Sequence, residues 1–200
     1  LVIIPSKLPG VEVGEKIDKL GLRTSDTAPV YFDNVRIPMR YRIGEEGAGF
    51  SMQMQQFQEE RIFLAASALV ILDDCIEQTI NFCKERKAFG KRVLDNQAIQ
   101  FRLAELQIEI ESLRSLIYRA CEEFVGGKDM TYLASMAKFK CGKLIREVSD
   151  SCLQYWGGMG FTWENPLSKV YRDGRLMSIG GGTDEIMLSI ICKHLGMANK

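Results

Sequence analysis

The stretch Asp95–Gly127, DNQAIQFRLAELQIEIESLRSLIYRACEEFVGG, decides the fold. Within it Leu103, Leu106, Ile110, Leu113, Ile117 and Phe124 recur at intervals of three, four and seven, so one face of a long helix is apolar and must be buried. Gly126 and Gly127 supply the stop, because glycine ends a helix without steric cost. Outward from this stretch, the pattern predicts a helix from about Phe50 to Lys84 on one side and from about Thr131 to Tyr155 on the other. Shorter helices are predicted from about Asn165 to Leu176 and from about Thr183 to Gly196. Beyond Phe50 the only proline is Pro166. Long helices joined by short loops imply a mainly α chain folded as an up-down four-helix bundle.

Residues 1–47 have another character. Val30–Pro38 combines β-branched and aromatic residues with a turn at Asp33 and Asn34, and Pro5, Pro9, Gly10 and Gly14 punctuate the approach. The expected organisation is therefore the end of a β domain at 1–47 and a helical bundle at 48–200. Leu1, Val2, Ile3 and Ile4 read as a strand already under way, so the expectation is a piece of a longer chain. The opening of the β domain and any targeting segment would lie upstream.

Composition narrows the function classes. The chain has 200 residues, 46% of them apolar, with 26 basic and 26 acidic side chains. That suits a folded domain with a real core and carries no chain-wide basic footprint for nucleic acid. The longest apolar run, Ile62–Leu72, falls well short of the roughly twenty residues that span a bilayer, so no transmembrane segment is expected. Six cysteines at 75, 83, 121, 141, 152 and 192 include no Cys-x-x-Cys pair, which reads as reduced core cysteine rather than disulfides or a zinc site. The single histidine, His194, has no partners for a metal site or a triad and reads as a helix surface residue.

Three segments carry candidate cofactor chemistry, and a fourth carries a candidate base. Arg86, Phe89, Gly90 and Gln97 lie around a basic connection between two helices, where a planar guanidinium can clamp a pyrophosphate; a solvated loop is the plain alternative. Gln154, Tyr155, Trp156, Gly157 and Gly158 end a helix with two glycines that let a ligand approach the backbone. Gly180, Gly181, Gly182, Thr183, Asp184 and Glu185 open the last helix, where free N–H groups favour an anion. The glycine run is not a dinucleotide fingerprint, since it lacks the Gly-x-Gly-x-x-Gly order after a strand. Gln58, Glu59, Glu60 and Arg61 sit early in the first long helix. Phe57, Phe63 and Leu64 place Glu60 on an apolar face, whereas Glu59 points with Gln55 and Gln56. An ion pair within the bundle is the plain reading of Glu60.

In this order, the three segments resemble the cofactor-contacting parts of the C-terminal domain of flavin-dependent acyl-CoA dehydrogenases, and the resemblance covers essentially the whole chain. It implies FAD as cofactor, an acyl-CoA as substrate, an electron-transfer flavoprotein as acceptor and a homo-oligomer, expected to be a tetramer built as a dimer of dimers. Arg86, Phe89, Gln97 and Gln154–Gly158 would then face the FAD of a neighbouring subunit, and Thr183, Asp184 and Glu185 the FAD of their own. Most of the family carries its catalytic glutamate where this chain has Gly181. Long-chain and isovaleryl-type members instead take the base from a Glu-Arg pair on the first helix, matched here by Glu60 and Arg61. Glu60 is accordingly expected to be the catalytic base, with Gln58, Glu59, Arg61, Gly181 and Gly182 against the substrate. The chain departs from the family at Gly180, where relatives carry an aromatic residue. A eukaryotic source would imply the mitochondrial matrix, a bacterial one the cytoplasm. The expected reaction is α,β-dehydrogenation to a trans-2-enoyl-CoA in fatty-acid or branched-chain catabolism. The alternatives are a non-catalytic assembly or scaffold protein that keeps the fold, and an acyl-CoA oxidase.

Overall fold

The computed structural model describes residues 1–197, and the chain divides into two compact units, Leu1–Phe57 and Gln58–Lys200. In the first unit, β1 (Val11–Val13) pairs antiparallel with β2 (Val30–Phe32), Val11 opposite Phe32 and Val13 opposite Val30. The turn expected at Asp33 and Asn34 is present: β2 stops at Phe32, and Asn34 enters the left-handed region at φ 47°. A bridge between Val2 and Arg42 and a hydrogen bond from Ile3 N–H to the Tyr41 carbonyl tie the start of the unit to its later part. Most of this unit is irregular rather than a succession of strands.

Among the described residues five α-helices follow: α1 (Gly49–Glu85), α2 (Gln97–Val125), α3 (Thr131–Trp156), α4 (Pro166–Gly174) and α5 (Asp184–His194). The predicted α2 stripe is buried at Leu103, Leu106, Ile110, Leu113 and Ile117, but Phe124 is exposed in the last turn, just before Gly126 ends the helix. Ile62, Ala65, Leu69, Leu72 and Ile76 of α1 and Leu133, Ala137, Cys141, Ile145 and Val148 of α3 join that stripe in one continuous core. Truncating a core leucine such as Leu72, Leu106 or Leu113 to alanine costs about 2–5 kcal/mol.

Long-range pairs fix the helix directions. Gln58 near the start of the second unit accepts from Met130 N–H at the start of α3, and Thr79 near the end of α1 accepts from Trp156 Nε1 at the end of α3, so α1 and α3 run parallel. Arg102, early in α2, reaches Glu147, late in α3, at 2.5 Å, so α2 runs the other way. The half-exposed carboxylate limits that pair to about 1 kcal/mol or less. Asn96, Asn165 and Thr183 cap α2, α4 and α5 through their side-chain oxygens, each cap contributing about 1 kcal/mol.

Two elements differ from the sequence expectation. The connection after α1 is a β-hairpin, β3 (Lys87–Ala88) with β4 (Lys91–Arg92), turned by Phe89 and Gly90 at φ 50° and 80°. Positive φ at both central residues is the geometry a two-residue hairpin turn favours. The predicted helix to Leu176 breaks at Gly174 and continues as a 3-10 turn over Arg175–Ser178, which redirects the chain toward α5.

All six cysteines are free, and Cys75, Cys83, Cys141 and Cys152 are buried. Burial pushes the thiols of Cys75 and Cys141 up to about 12 and that of Cys152 up to about 11. Because these folded-state values lie above the unfolded value, the stability they contribute is complete at lower pH. It is lost as pH rises through about 9 toward 11–12. A thiol reagent at pH 8 is expected to modify exposed Cys121 first, half-buried Cys192 more slowly, and the other four only on unfolding. Rapid native modification of all six, counted by mass, would contradict the buried assignment.

Candidate functional site: a glycine loop clamped by two buried cations

Gly181 and Gly182 hold φ values of +70° and +108°, which an L side chain adopts only with strain. Two buried cations fix this loop. Arg61 on α1 is 6% exposed, and its Nε donates to the Gly181 carbonyl at 3.1 Å, joining residues 120 apart in the chain. Lys138 on α3 is 1% exposed, and its Nζ donates to the Gly182 carbonyl. Desolvation pulls both pKa values below their ordinary levels, while Glu60 partly restores that of Arg61 and Asp184 that of Lys138.

The loop lies close against α3 because Gly142 has no side chain. A Cβ there would stand 2.9 Å from both the Met177 carbonyl oxygen and Ser178 Oγ, and 3.0 Å from Asp184 Oδ1. Ser178 Oγ donates to the Gly142 carbonyl at 3.0 Å, and Arg146, one turn further along, stands 3.5 Å from Asp184 Oδ2. Thr183 Oγ1 accepts from Ile186 N–H as the cap of α5. Backbone hydrogen bonding at the helix start, together with Thr183, holds Glu185 below the usual carboxylate range.

Glu60 is half-buried one turn before Leu64, and a Cβ on Gly181 would lie 3.2 Å from Leu64 Cδ1. The first-helix position and the late glycine position therefore border the same space. Glu59 is exposed, and Gln58 is occupied by the N–H of Met130 at 3.3 Å. Phe63 is 70% exposed, whereas Leu64 lies against the loop, its Cδ1 3.2 Å from where a Cβ on Gly181 would stand. Asp184 turns inward, its Oδ1 buried without a hydrogen-bond partner among the described residues, so Thr183 and Glu185 form the outward part of that segment.

The remaining candidates gather at the other end of the bundle. Trp156 stacks on Phe82 with ring centroids 4.2 Å apart, and its Nε1 donates to Thr79 Oγ1 at 3.2 Å, bringing the end of α3 to the end of α1. The indole is thus packed inside, leaving the backbone of Gly157 and Gly158 and the exposed Gln154 side chain to meet a ligand; Tyr155 is half-buried. Arg86 and Gln97 are exposed, Phe89 is wholly so at the hairpin tip, and the Arg86 carbonyl accepts from Val93 N–H at 2.9 Å. Among the described residues no carboxylate pairs with the Arg86 guanidinium, and nothing stands within 4 Å of where a Cβ on Gly157 or Gly158 would lie. An unpaired guanidinium, an exposed ring and open backbone fit the phosphates and rings of a dinucleotide.

Lys138, Gly142 and Arg146 were not singled out from the sequence. The available signal was Lys138 itself, a lysine set among the apolar positions Ala134, Ala137 and Cys141 of a helix whose other face is charged. Among the described residues no group of His, Cys, Asp and Glu is arranged to hold a metal, and no helix is long and apolar enough to cross a membrane.

The sequence profile of the acyl-CoA dehydrogenase C-terminal domain matches residues 47–196. The chain belongs to the acyl-CoA dehydrogenase family. It is 36% identical over 191 residues to the short/branched chain specific acyl-CoA dehydrogenase, mitochondrial, of Bos taurus, covering 96% of this chain and 44% of that protein. It is also 36% identical over 195 residues to the long-chain specific acyl-CoA dehydrogenase, mitochondrial, of Mus musculus, covering 98% of this chain and 45% of that one. A solved structure of PigA with FAD and proline superposes with a TM-score of 0.95 at 28% identity, covering 98% of this chain and 51% of PigA. This acyl-CoA dehydrogenase chain therefore spans less than half the length of the two curated relatives. Its helical fold is the family's C-terminal domain.

Proposed function

We propose that this chain is part of an FAD-dependent acyl-CoA dehydrogenase of the long-chain or branched-chain type, with Glu60 as its catalytic base. The observation that supports it best is the hydrogen bond from Arg61 Nε to the Gly181 carbonyl. It holds the helix turn bearing Glu60 against the loop position where most of the family keeps its glutamate. Gly181 leaves its N–H without an acceptor among the described residues, free to donate to the thioester carbonyl oxygen and so to acidify the α-carbon. A Glu60 carboxylate oxygen takes the α proton. FAD, when bound, supplies the two-electron acceptor for the β hydrogen. The product is a trans-2-enoyl-CoA.

The separation of the two clusters supports cofactor sites shared between subunits. At about 1.5 Å per residue, Lys138 and Gln154 lie roughly 24 Å apart along α3, and Arg61 and Phe82 roughly 32 Å apart along α1. Thr183 and Glu185 are thus placed to serve the FAD of their own subunit, with Arg86, Phe89, Gln97, Gln154 and Gly157–Gly158 serving that of a neighbour. This reading includes a homotetramer arranged as a dimer of dimers, an electron-transfer flavoprotein as acceptor, and a β domain ending near residue 47. The location it implies is the mitochondrial matrix in a eukaryote or the cytoplasm in a bacterium.

Arg86→Ala tests the shared site. The variant is expected to lose FAD and weaken the oligomer together, since a ligand bound only by the assembled state stabilises that state. Flavin absorbance and sedimentation of the same sample provide the measurement. An FAD-replete, unchanged oligomer would make the hairpin a merely solvated loop.

A further inference from the structure

We propose that Lys138 is a positioning residue: with Arg61 it sets the peptide planes of the Gly181–Gly182 loop, so that the loop presents its free N–H groups to the acyl thioester. The inference rests on the reading of Gly181 and Glu60 above. Three consecutive glycines, Gly180–Gly182, have no side chains with which to hold their own conformation, and freezing such a segment is costly. The two cations supply the missing constraint from two different helices. Arg61 takes the carbonyl of Gly181 and Lys138 that of Gly182, both from the bundle side. In a trans peptide the N–H points opposite its carbonyl, so these bonds turn the N–H groups of Gly182 and Thr183 away from the bundle. The Gly181 N–H lies on the preceding peptide, one residue from the carbonyl that Arg61 holds.

A solvated lysine would not serve in this way. Lys138 is almost fully enclosed, its Cε lies 4.0 Å from the Cβ position of Gly181, and the charges around it come from Arg61 on α1 and from Asp184 and Glu185 on α5. Asp184 in turn leans on Arg146, which keeps a counter-charge beside Lys138 without taking its hydrogen bond to the loop. A buried cation whose hydrogen bond goes to a loop carbonyl spends its desolvation on the shape of that loop.

The test uses the protein as its cell makes it, flavin bound, with Lys138→Met and Lys138→Arg. Methionine matches the volume and removes the donor. Lys138→Met is expected to keep FAD and to change KM for acyl-CoA by no more than about threefold, while kcat falls on the order of 10–100-fold, as a reacting group displaced by about 1 Å allows. Amide hydrogen exchange of residues 180–183 should accelerate about tenfold while α2 and the rest of α3 keep their protection, and Lys138→Arg should recover part of both losses. Unchanged loop exchange would overturn the proposal. So would loss of protection along all of α3, which marks a merely structural lysine; if Lys138→Met does not fold, full activity and loop protection in Lys138→Gln would overturn it too. Should the wild type dehydrogenate no acyl-CoA, the functional reading fails, and loop exchange alone decides the role of Lys138.

Discussion

Glu60→Gln is expected to keep FAD and the fold but to reduce the rate of flavin bleaching by acyl-CoA on the order of 10²–10⁴-fold, the range general-base catalysis supplies. Glutamine keeps the shape and cannot accept the proton. The fold should tolerate the change because Glu60 is only half-buried and its neighbour Arg61 keeps its bond to Gly181. Glu59→Gln, one residue earlier and exposed, should stay within about threefold of wild type, since exposed substitutions away from such features have small effects. Anaerobic single-turnover absorbance separates the two variants. Equal bleaching by Glu60→Gln and wild type would remove Glu60 from the reaction.

Moving the carboxylate is the second large effect. A side chain on Gly181 starts toward Leu64, the residue one turn beyond Glu60, so Gly181→Glu in a Glu60→Gly background puts a base on the other side of the same space. Recovery should be partial for two reasons visible in the structure. Gly181 sits at φ +70°, which costs an L residue about 1–2 kcal/mol, and Leu64 must yield from 3.2 Å. A displacement of about 1 Å at the reacting atom costs on the order of a hundredfold. The double variant is therefore expected to bleach flavin measurably faster than Glu60→Gly alone and well below wild type. If it stays as inactive as Glu60→Gly with FAD retained, the two positions do not serve one α-carbon.

The bundle was legible because a buried helix face repeats along the sequence. The stripe from Leu103 to Ile117 needed no knowledge of its partners, and Gly126 marked its end as expected. What the sequence could not show were contacts between residues far apart in the chain. Arg61 reaches a carbonyl 120 residues away, so its burial looked like one member of a Glu-Arg pair rather than a clamp. Lys138 interrupts the apolar stripe of its helix, but the sequence could not show which distant carbonyl it reaches. Helical spacing put Phe63 near Glu60 but could not tell that it is 70% exposed, because exposure depends on what the rest of the fold covers. The motif singled out Trp156 but could not show that its ring packs on Phe82. The hairpin at Lys87–Arg92 was missed because two-residue strands carry almost no pattern.

The most direct test of the account is anaerobic titration of the flavin-loaded protein, as its cell makes it, with straight-chain and branched acyl-CoAs of graded length, following flavin absorbance. The account predicts bleaching by at least one long-chain or branched acyl-CoA, release of a trans-2-enoyl-CoA, and reoxidation by an electron-transfer flavoprotein rather than rapid hydrogen peroxide formation. A protein that holds FAD and is bleached by none of them would contradict it and leave the fold to a scaffold.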